Sequence, residues 1–455
     1  MKILVIVAIC AVFAAAFLFL VPETVTVMPG SDGANISLSA TSSIIVLPPI
    51  PEADRPASSS STVLDGVSSN NDIGPQRQLV NPPNVIKGVY LTGWSGGYAP
   101  KVNYLINLAQ KTEVNAVVID IKDYSGYVSY VIDDPLVKGS GADNQVKITQ
   151  PNALIKKLHD AGIYVIGRIT VFQDPVLAKA HPEWALHNAS TSKVWSDNHG
   201  LAWMDPAAKP VWDYDVAIAK DALSRGFDEI NFDYVRFASD GDLSLIQYPF
   251  WDQKTPKHVI IGRFFKYLRD SMPDAKLSAD LFGLTTVNHD DLGIGQVIED
   301  AYKYFDAVAP MVYPSHYATG FLGYQNPAKY PYEVIKYSMD HAVQRLEAGE
   351  KVEENVSSTS ATSTGTITTS VPYRAKLRPW LQDFDLGATY DAAMVKKEMQ
   401  ATYDSLLNFI STPPSMITST STLIEAPNSS EAYYGGWLLW DPSNVYTAGA
   451  LKNTN

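Results

Sequence analysis

The sequence predicts a (β/α)8 barrel with Ser/Thr-rich loop insertions, on three observations. Eight short runs rich in β-branched and aromatic residues recur along the chain. Helical patterns separate them, and the alternation holds over roughly 370 residues, the span of a barrel with insertions. An open doubly wound sheet is the alternative. It would usually show a Gly-rich first turn, and "LTGWSGGYAP" lacks the GxGxxG spacing.

In order, the first two runs are "IKGVYLTGW" (86–94) and "NAVVIDIKD" (115–123). "NALIKKLHDAG" then reads as a helix closed by the Gly expected past a C-terminus. The third run is "IYVIGRITVF" (163–172). The helix after it is expected to open with Asp205 as N-cap and Pro206 at its first position, and to close on Gly226. The fourth run is "EINFDYVRF" (229–237), followed by the helical "HVIIGRFFKYLRDSM". "KLSADLFGL" (276–284) and "AVAPMVYP" (307–314) flank "DDLGIGQVIEDAYKYF", whose apolar residues keep three- and four-residue spacings. "RPWLQDF" (378–384), the helical "YDAAMVKKEMQATYDSLLNFI" and "GGWLLWD" (435–441) complete the set. Two Ser/Thr-rich stretches, 357–370 and 411–432, have little to bury and read as surface loops.

Residues 81–450 therefore form the barrel, and two segments precede it. From Ile3 to Val21 the chain is uninterruptedly apolar, roughly 28 Å of helix and about one bilayer core. We read 1–21 as a membrane anchor, with a cleaved signal peptide as its rival at Ala14-Ala15-Ala16. Lys2 lies before this run, and no Lys or Arg follows between Pro22 and Asp54. That asymmetry puts the barrel on the extracytoplasmic side, or outside the cell if the segment is cleaved. Residues 22–80, rich in Ser, Pro and Thr, read as a disordered tether. The single cysteine, Cys10, lies in the apolar segment, so the barrel has no disulfide and no thiol nucleophile. A net charge of −13 argues against nucleic acid as a partner.

A barrel places its chemistry at the C-terminal ends of its strands. The candidates there are Trp94; Asp120 and Lys122; Arg168; Asn231, Asp233 and Arg236; Asp280; Tyr313 and His316; Trp380, Gln382 and Asp383; and Trp440. Asp233 sits in the middle of a run whose Ile230, Phe232 and Val235 suit a buried strand, where an unpaired charge would cost several kcal/mol. Carboxylates ringed by Trp and Tyr suit sugar chemistry, because sugar C–H faces stack on aromatic rings. Glycoside hydrolysis needs two carboxyl groups about the scissile bond. Asp233 and Asp280 are the expected pair: period-two alternation puts Asp233 on a face with Asn231 and Asp280 on a face with Ser278, and the two carboxyls approach on neighbouring strands if both faces point inward. Asp233 would be the nucleophile and Asp280 the acid, kept protonated beside an anion. A separation of ~5–5.5 Å gives retention, and a wider one inversion. The structural alternatives are an ion pair of Asp233 with Lys122 or Arg168, and a supporting role for Asp280. Asp120 either orients Lys122 or is itself the acid. "NHDDLG" (288–293) reads as a helix N-cap. No histidine pair has metal-ligand spacing, and no nucleotide motif occurs, so neither metal nor cofactor is expected.

Taken in series, "IKGVYLTGW", "NAVVIDIKDYSG", "GRITVFQD", "WMDP", "GFDEINFDYVRF", "LSADLFG" and "VAPMVYPSHY" resemble a glycosyl hydrolase domain family of bacterial envelope proteins. That family is a TIM barrel distantly similar to the alpha-amylase and alpha-galactosidase groups, and the resemblance runs from about residue 86 to 445. It implies a nucleophile at the end of the fourth strand, which falls on Asp233. The alpha-amylase group has a Glu acid on the fifth strand, where this chain has Asp280. The resemblance implies a class, glycoside hydrolase, and not a substrate; hydrolysis needs no cofactor, and the anchor and tether point to an extracellular or envelope polysaccharide. The alternatives are a catalytically inactive carbohydrate-binding barrel and an envelope scaffold.

Overall fold

The computed structural model describes residues 72–357, 364–407 and 432–454. The expected anchor 1–21, the tether up to residue 71, residues 358–363 of the first Ser/Thr-rich stretch and residues 411–431 of the second lie outside the described residues. Among the described residues no helix is long and apolar enough to cross a membrane.

Eight parallel strands close into a barrel. They are β1 (Ile86–Leu91), β2 (Ala116–Lys122), β3 (Tyr164–Thr170), β4 (Glu229–Asp233), β5 (Leu277–Phe282), β6 (Ala307–Met311), β7 (Trp380–Gln382) and β8 (Gly436–Trp440). Each pairs with its neighbours in sequence, and β8 returns to β1 with Ile86 opposite Gly436. Gly436 sits at φ 108°, and a Cβ there would lie 1.7 Å from the Ile86 carbonyl oxygen. Glycine is what lets the closing seam form.

Alternation along the strands sorts the side chains into two layers. Tyr90, Val118, Ile166, Ala309, Trp380 and Leu438 pack together inside the barrel. Their neighbours Val89, Val117, Ile119, Val165 and Leu439 join the larger apolar layer beneath the helices. That outer layer is formed with α1 (Ala99–Lys111), α2 (Pro151–Asp160), α3 (Lys209–Arg225), α4 (Lys257–Ser271), α5 (Ile298–Tyr304), α6 (Pro331–Ala348) and α7 (Ala392–Leu406).

Several boundaries differ from those expected. α3 begins at Lys209, with Pro210 in its first turn, and Asp205 does not cap it. Asp205 instead accepts the amides of Ala207, Phe250 and Trp251 and pins two loops together. β4 stops at Asp233, because Tyr234 turns into the left-handed region at φ 53°. "NHDDLG" is a turn, with Asp291 accepting the Gly293 amide, and α5 starts later, at Ile298. The stretch 357–370 is not simply a loop: Glu350–Ser357 and Thr364–Val371 form an antiparallel hairpin. Thr364–Val371 is dense in β-branched residues, which favour a strand even when most are hydroxylic. Residues 72–80, inside the expected tether, lie against the barrel. Asp72 accepts the amides of Asn152 and Ala153 at the start of α2, and the Leu79 amide donates to Asp228.

Candidate active site

The inward faces of β2, β3, β4 and β5 bring one guanidinium among three carboxylates. The parallel register sets Arg168 beside both Asp120 and Asn231. Arg168 Nη1 donates to Asp120 Oδ1 at 2.7 Å, and Nη2 donates to Asp233 Oδ2. Its Nε lies 3.5 Å from Asp280 Oδ2 and has no hydrogen bond. Tyr90 gives its hydroxyl to the second Asp120 oxygen at 2.5 Å. The Tyr234 amide donates to Asp233 Oδ1 at 2.6 Å. Asp280 Oδ1 accepts from Asn231 Nδ2 and Trp380 Nε1, both at 2.8 Å.

These groups are nearly sealed from water: Asp120 and Asp280 are 1% exposed and Asp233 is 4% exposed. Burial raises the Asp120 carboxyl, and Arg168 opposes that shift. Asp280 is pushed up to about 8, first by burial and then by the Asp233 charge, against Arg168 and its two hydrogen bonds. A carboxyl in that state keeps its proton at neutral pH and can donate it. Trp440 stacks on Tyr90 at 4.0 Å, and the Arg168 guanidinium lies 5.5 Å from the Trp440 ring centre. Tyr313 is buried near the same charges, so burial, Asp280 and Asp233 all raise its hydroxyl.

Other expected residues stand apart from this cluster. Lys122 does not face the interior, because β2 bulges between Asp120 and Lys122. Ile121 is the extra residue, and it reverses the alternation. Lys122 Nζ therefore points outward, 2.8 Å from Asp174 and 2.7 Å from Asp215. Gln382 accepts the Ser315 amide and donates to the Phe384 carbonyl, bracing the turn after β6. Asp383 turns away and accepts the Thr447 amide. Asn231 serves Asp280 and not Asp233. Trp94 is part-exposed on the short helix that follows β1. His316 packs on Tyr313, and burial pushes its imidazole down to about 4. Arg236 lies just past β4 among Trp203, Tyr234 and Phe282.

Sequence reasoning missed Tyr90 and Glu229. Both follow from the alternation that located the aspartates: Tyr90 lies two residues past Gly88 on β1, and Glu229 two before Asn231. Glu229 accepts from Ser278 Oγ at 2.6 Å and from Arg378 Nη1 at 2.7 Å, deeper in the barrel than Asp233. Arg378 gave no such signal, since its partner is remote in sequence. Among the described residues no group of three His, Cys, Asp or Glu side chains could hold a metal ion. A cavity of about 520 Å³ lies on the outer wall between α3 and α4, lined by Asp133, Asp213, Lys220 and Tyr267, away from the carboxylates.

The family model described as "Putative glycosyl hydrolase domain" matches residues 88–410. Among solved structures, a hypothetical protein from Ruminiclostridium thermocellum is 40% identical. That match covers 45% of this chain and 98% of the other, with a TM-score of 0.39. The PgaB (BpsB) glycoside hydrolase domain from Bordetella bronchiseptica is 13% identical over 82% of this chain and 99% of the other, with a TM-score of 0.51. The alpha-galactosidase TtGalA from Thermus thermophilus, solved with stachyose, is 14% identical over 60% and 54%, with a TM-score of 0.37. None of the curated proteins matches the chain.

Proposed function

Because the chain belongs to the putative glycosyl hydrolase domain family, we propose that it hydrolyses glycosidic bonds in an extracellular or cell-envelope polysaccharide, with Asp233 and Asp280 as its two catalytic carboxyls. The observation that supports this reading is geometric: Asp233 and Asp280, from adjacent strands, lie around one guanidinium, Arg168, and burial and the Asp233 charge raise the Asp280 carboxyl. Asp280 gives its proton to the glycosidic oxygen as the bond to the anomeric carbon breaks. Asp233, oriented by Arg168 and the Tyr234 amide, attacks that carbon and forms a glycosyl ester. Water, deprotonated by Asp280, then attacks the same carbon, freeing the sugar and restoring both groups. Asp120 and Tyr90 hold Arg168 in place. Trp440 would supply a ring face for the sugar at the cluster and Trp94 one further out, while Trp380 holds Asp280 through its indole N–H. The apolar segment 1–21 would keep the barrel at the outer face of a membrane.

The test incubates wild type, Asp233→Asn and Asp280→Asn with envelope and storage polysaccharides and measures new reducing ends. Release by wild type with at least a hundredfold loss in both variants supports the assignment. Equal release by Asp233→Asn removes Asp233 from the chemistry.

One observation favours a second reading, a carbohydrate-binding barrel without turnover. Asp280 is 1% exposed, and its Oδ1 is already taken by two donors. That reading expects glycan affinity that survives Asp233→Asn and no hydrolysis by wild type.

A further inference from the structure

Four arginines are buried among the described residues: Arg168, Arg236, Arg345 and Arg378. Three have a carboxylate within ion-pair distance. Arg168 has Asp120 and Asp233, Arg345 has Glu299, and Arg378 has Glu229. Arg236 has none, although it is only 5% exposed. A buried guanidinium without an anion is costly, and three aromatic faces compensate it only in part. Those faces belong to Trp203, Phe282 and Tyr234, with centres 4.7, 4.8 and 5.2 Å from the guanidinium carbon.

Of the surrounding acids, Asp233 and Asp197 are committed elsewhere, and Asp240, which acts on Arg236 through space, is not within ion-pair distance of it. Asp233 takes Arg168 and the Tyr234 amide. Asp197 takes the Trp203 indole and the amides of His199 and Leu201. Asp240 lies 3.9 Å from His199. Arg236 spends Nη1 on the Phe237 carbonyl and on Ser239 Oγ. Its Nε and Nη2 make no hydrogen bond among the described residues, and neither is among the sealed atoms that lack a partner. These two donors share one edge of the guanidinium, the fork that receives both oxygens of a carboxylate. The edge lies three residues past Asp233, at the end of the strand that carries it.

We infer that Arg236 is a subsite for a carboxylate borne by the glycan, so the substrate class is an acidic polysaccharide containing uronic acid or a similar carboxylated sugar. The inference rests on the barrel mouth being the glycan site. It does not require turnover. An incoming carboxylate supplies the anion that the other three buried arginines find within the chain, and the aromatic walls keep water from competing for it. The selectivity is local, because the chain as a whole carries a charge of −13 that would otherwise repel an anionic glycan.

The experiment titrates the full chain with polygalacturonate, alginate and hyaluronate, each against its carboxyl-reduced form. The proteins are wild type, Arg236→Gln and Arg236→Lys, and the readouts are affinity and ligand-induced rise in Tm. At least one acidic polymer should bind wild type tenfold or more tightly than its reduced form. Arg236→Gln should abolish that gap while binding the reduced form as wild type does, and Arg236→Lys should keep part of it. The inference is overturned if no acidic form is preferred, or if Arg236→Gln weakens both forms alike. Should Arg236→Gln fail to fold, the wild-type preference and a reduced gap in Arg236→Lys decide the question. Acid-selective binding without hydrolysis would leave the inference standing and sink the enzymatic reading. Hydrolysis of neutral glycans without acid selectivity would do the reverse.

Discussion

Asp233 accepts the amide hydrogen of Tyr234, the residue that follows it, at 2.6 Å. The contact closes at the point where the strand ends, and Tyr234 itself adopts φ 53°, which turns the chain that follows it away from the sheet. A left-handed non-glycine residue costs about 1–2 kcal/mol, and here the strain sits on the residue that follows the proposed nucleophile. A β-branched side chain tolerates that region poorly. Tyr234→Val should therefore lose about 1–2 kcal/mol more in urea denaturation than Tyr234→Phe, and with it more of any hydrolytic activity.

Arg168 answers to Asp120, Asp233 and Asp280 together. Arg168→Gln leaves three carboxyls without a counter-charge, so Asp280 should hold its proton to still higher pH and Asp233 should lose its orientation. We expect at least a hundredfold fall in the rate of reducing-end release, with the alkaline limb of the pH profile moved upward. An unchanged limb would separate Arg168 from the acid.

Asp280 also sets a pH dependence of stability. Its folded pKa, about 8, lies above the ordinary carboxylate value, so the folded state binds more protons than the unfolded one between roughly pH 4 and 8. Stability is therefore fullest below about pH 4 as far as this group is concerned, and it declines as pH rises toward 8. Asp215, raised by burial to about 7, acts in the same direction. Urea midpoints of wild type should fall across this window more steeply than those of Asp280→Asn. Parallel slopes would contradict the assignment.

Lys122 is wholly buried between Asp174 and Asp215. Replacing it by Met strands two buried acids, a change of the kind that costs about 3–5 kcal/mol. The loss should appear in denaturant unfolding, while glycan affinity per folded molecule stays at the wild-type level. A selective loss of glycan affinity would place Lys122 back at the mouth.

Gly436→Ala should weaken the barrel seam, since its Cβ would meet the Ile86 carbonyl oxygen at 1.7 Å. A lowered Tm with loss of amide protection in both β1 and β8 is expected, and protection lost elsewhere first would argue against that seam as the weak point.

Much of this protein is legible without its structure. Eight strands with period-two alternation dictate a barrel, and the same alternation sends Asp120, Arg168, Asn231, Asp233 and Asp280 inward, because a side chain's face depends only on its place in the pleat. Tertiary structure decided what local pattern does not encode. The bulge at Ile121 arises from how β2 pairs with β3, and it moved Lys122 out of the site. The left-handed turn at Tyr234 arises from where β4 must stop, and it placed Arg236 in its aromatic box with a free edge. Which carboxyl keeps its proton depends on burial and on charges brought from strands far apart in the chain, so the raised Asp280 becomes visible only when β3, β4 and β5 stand side by side.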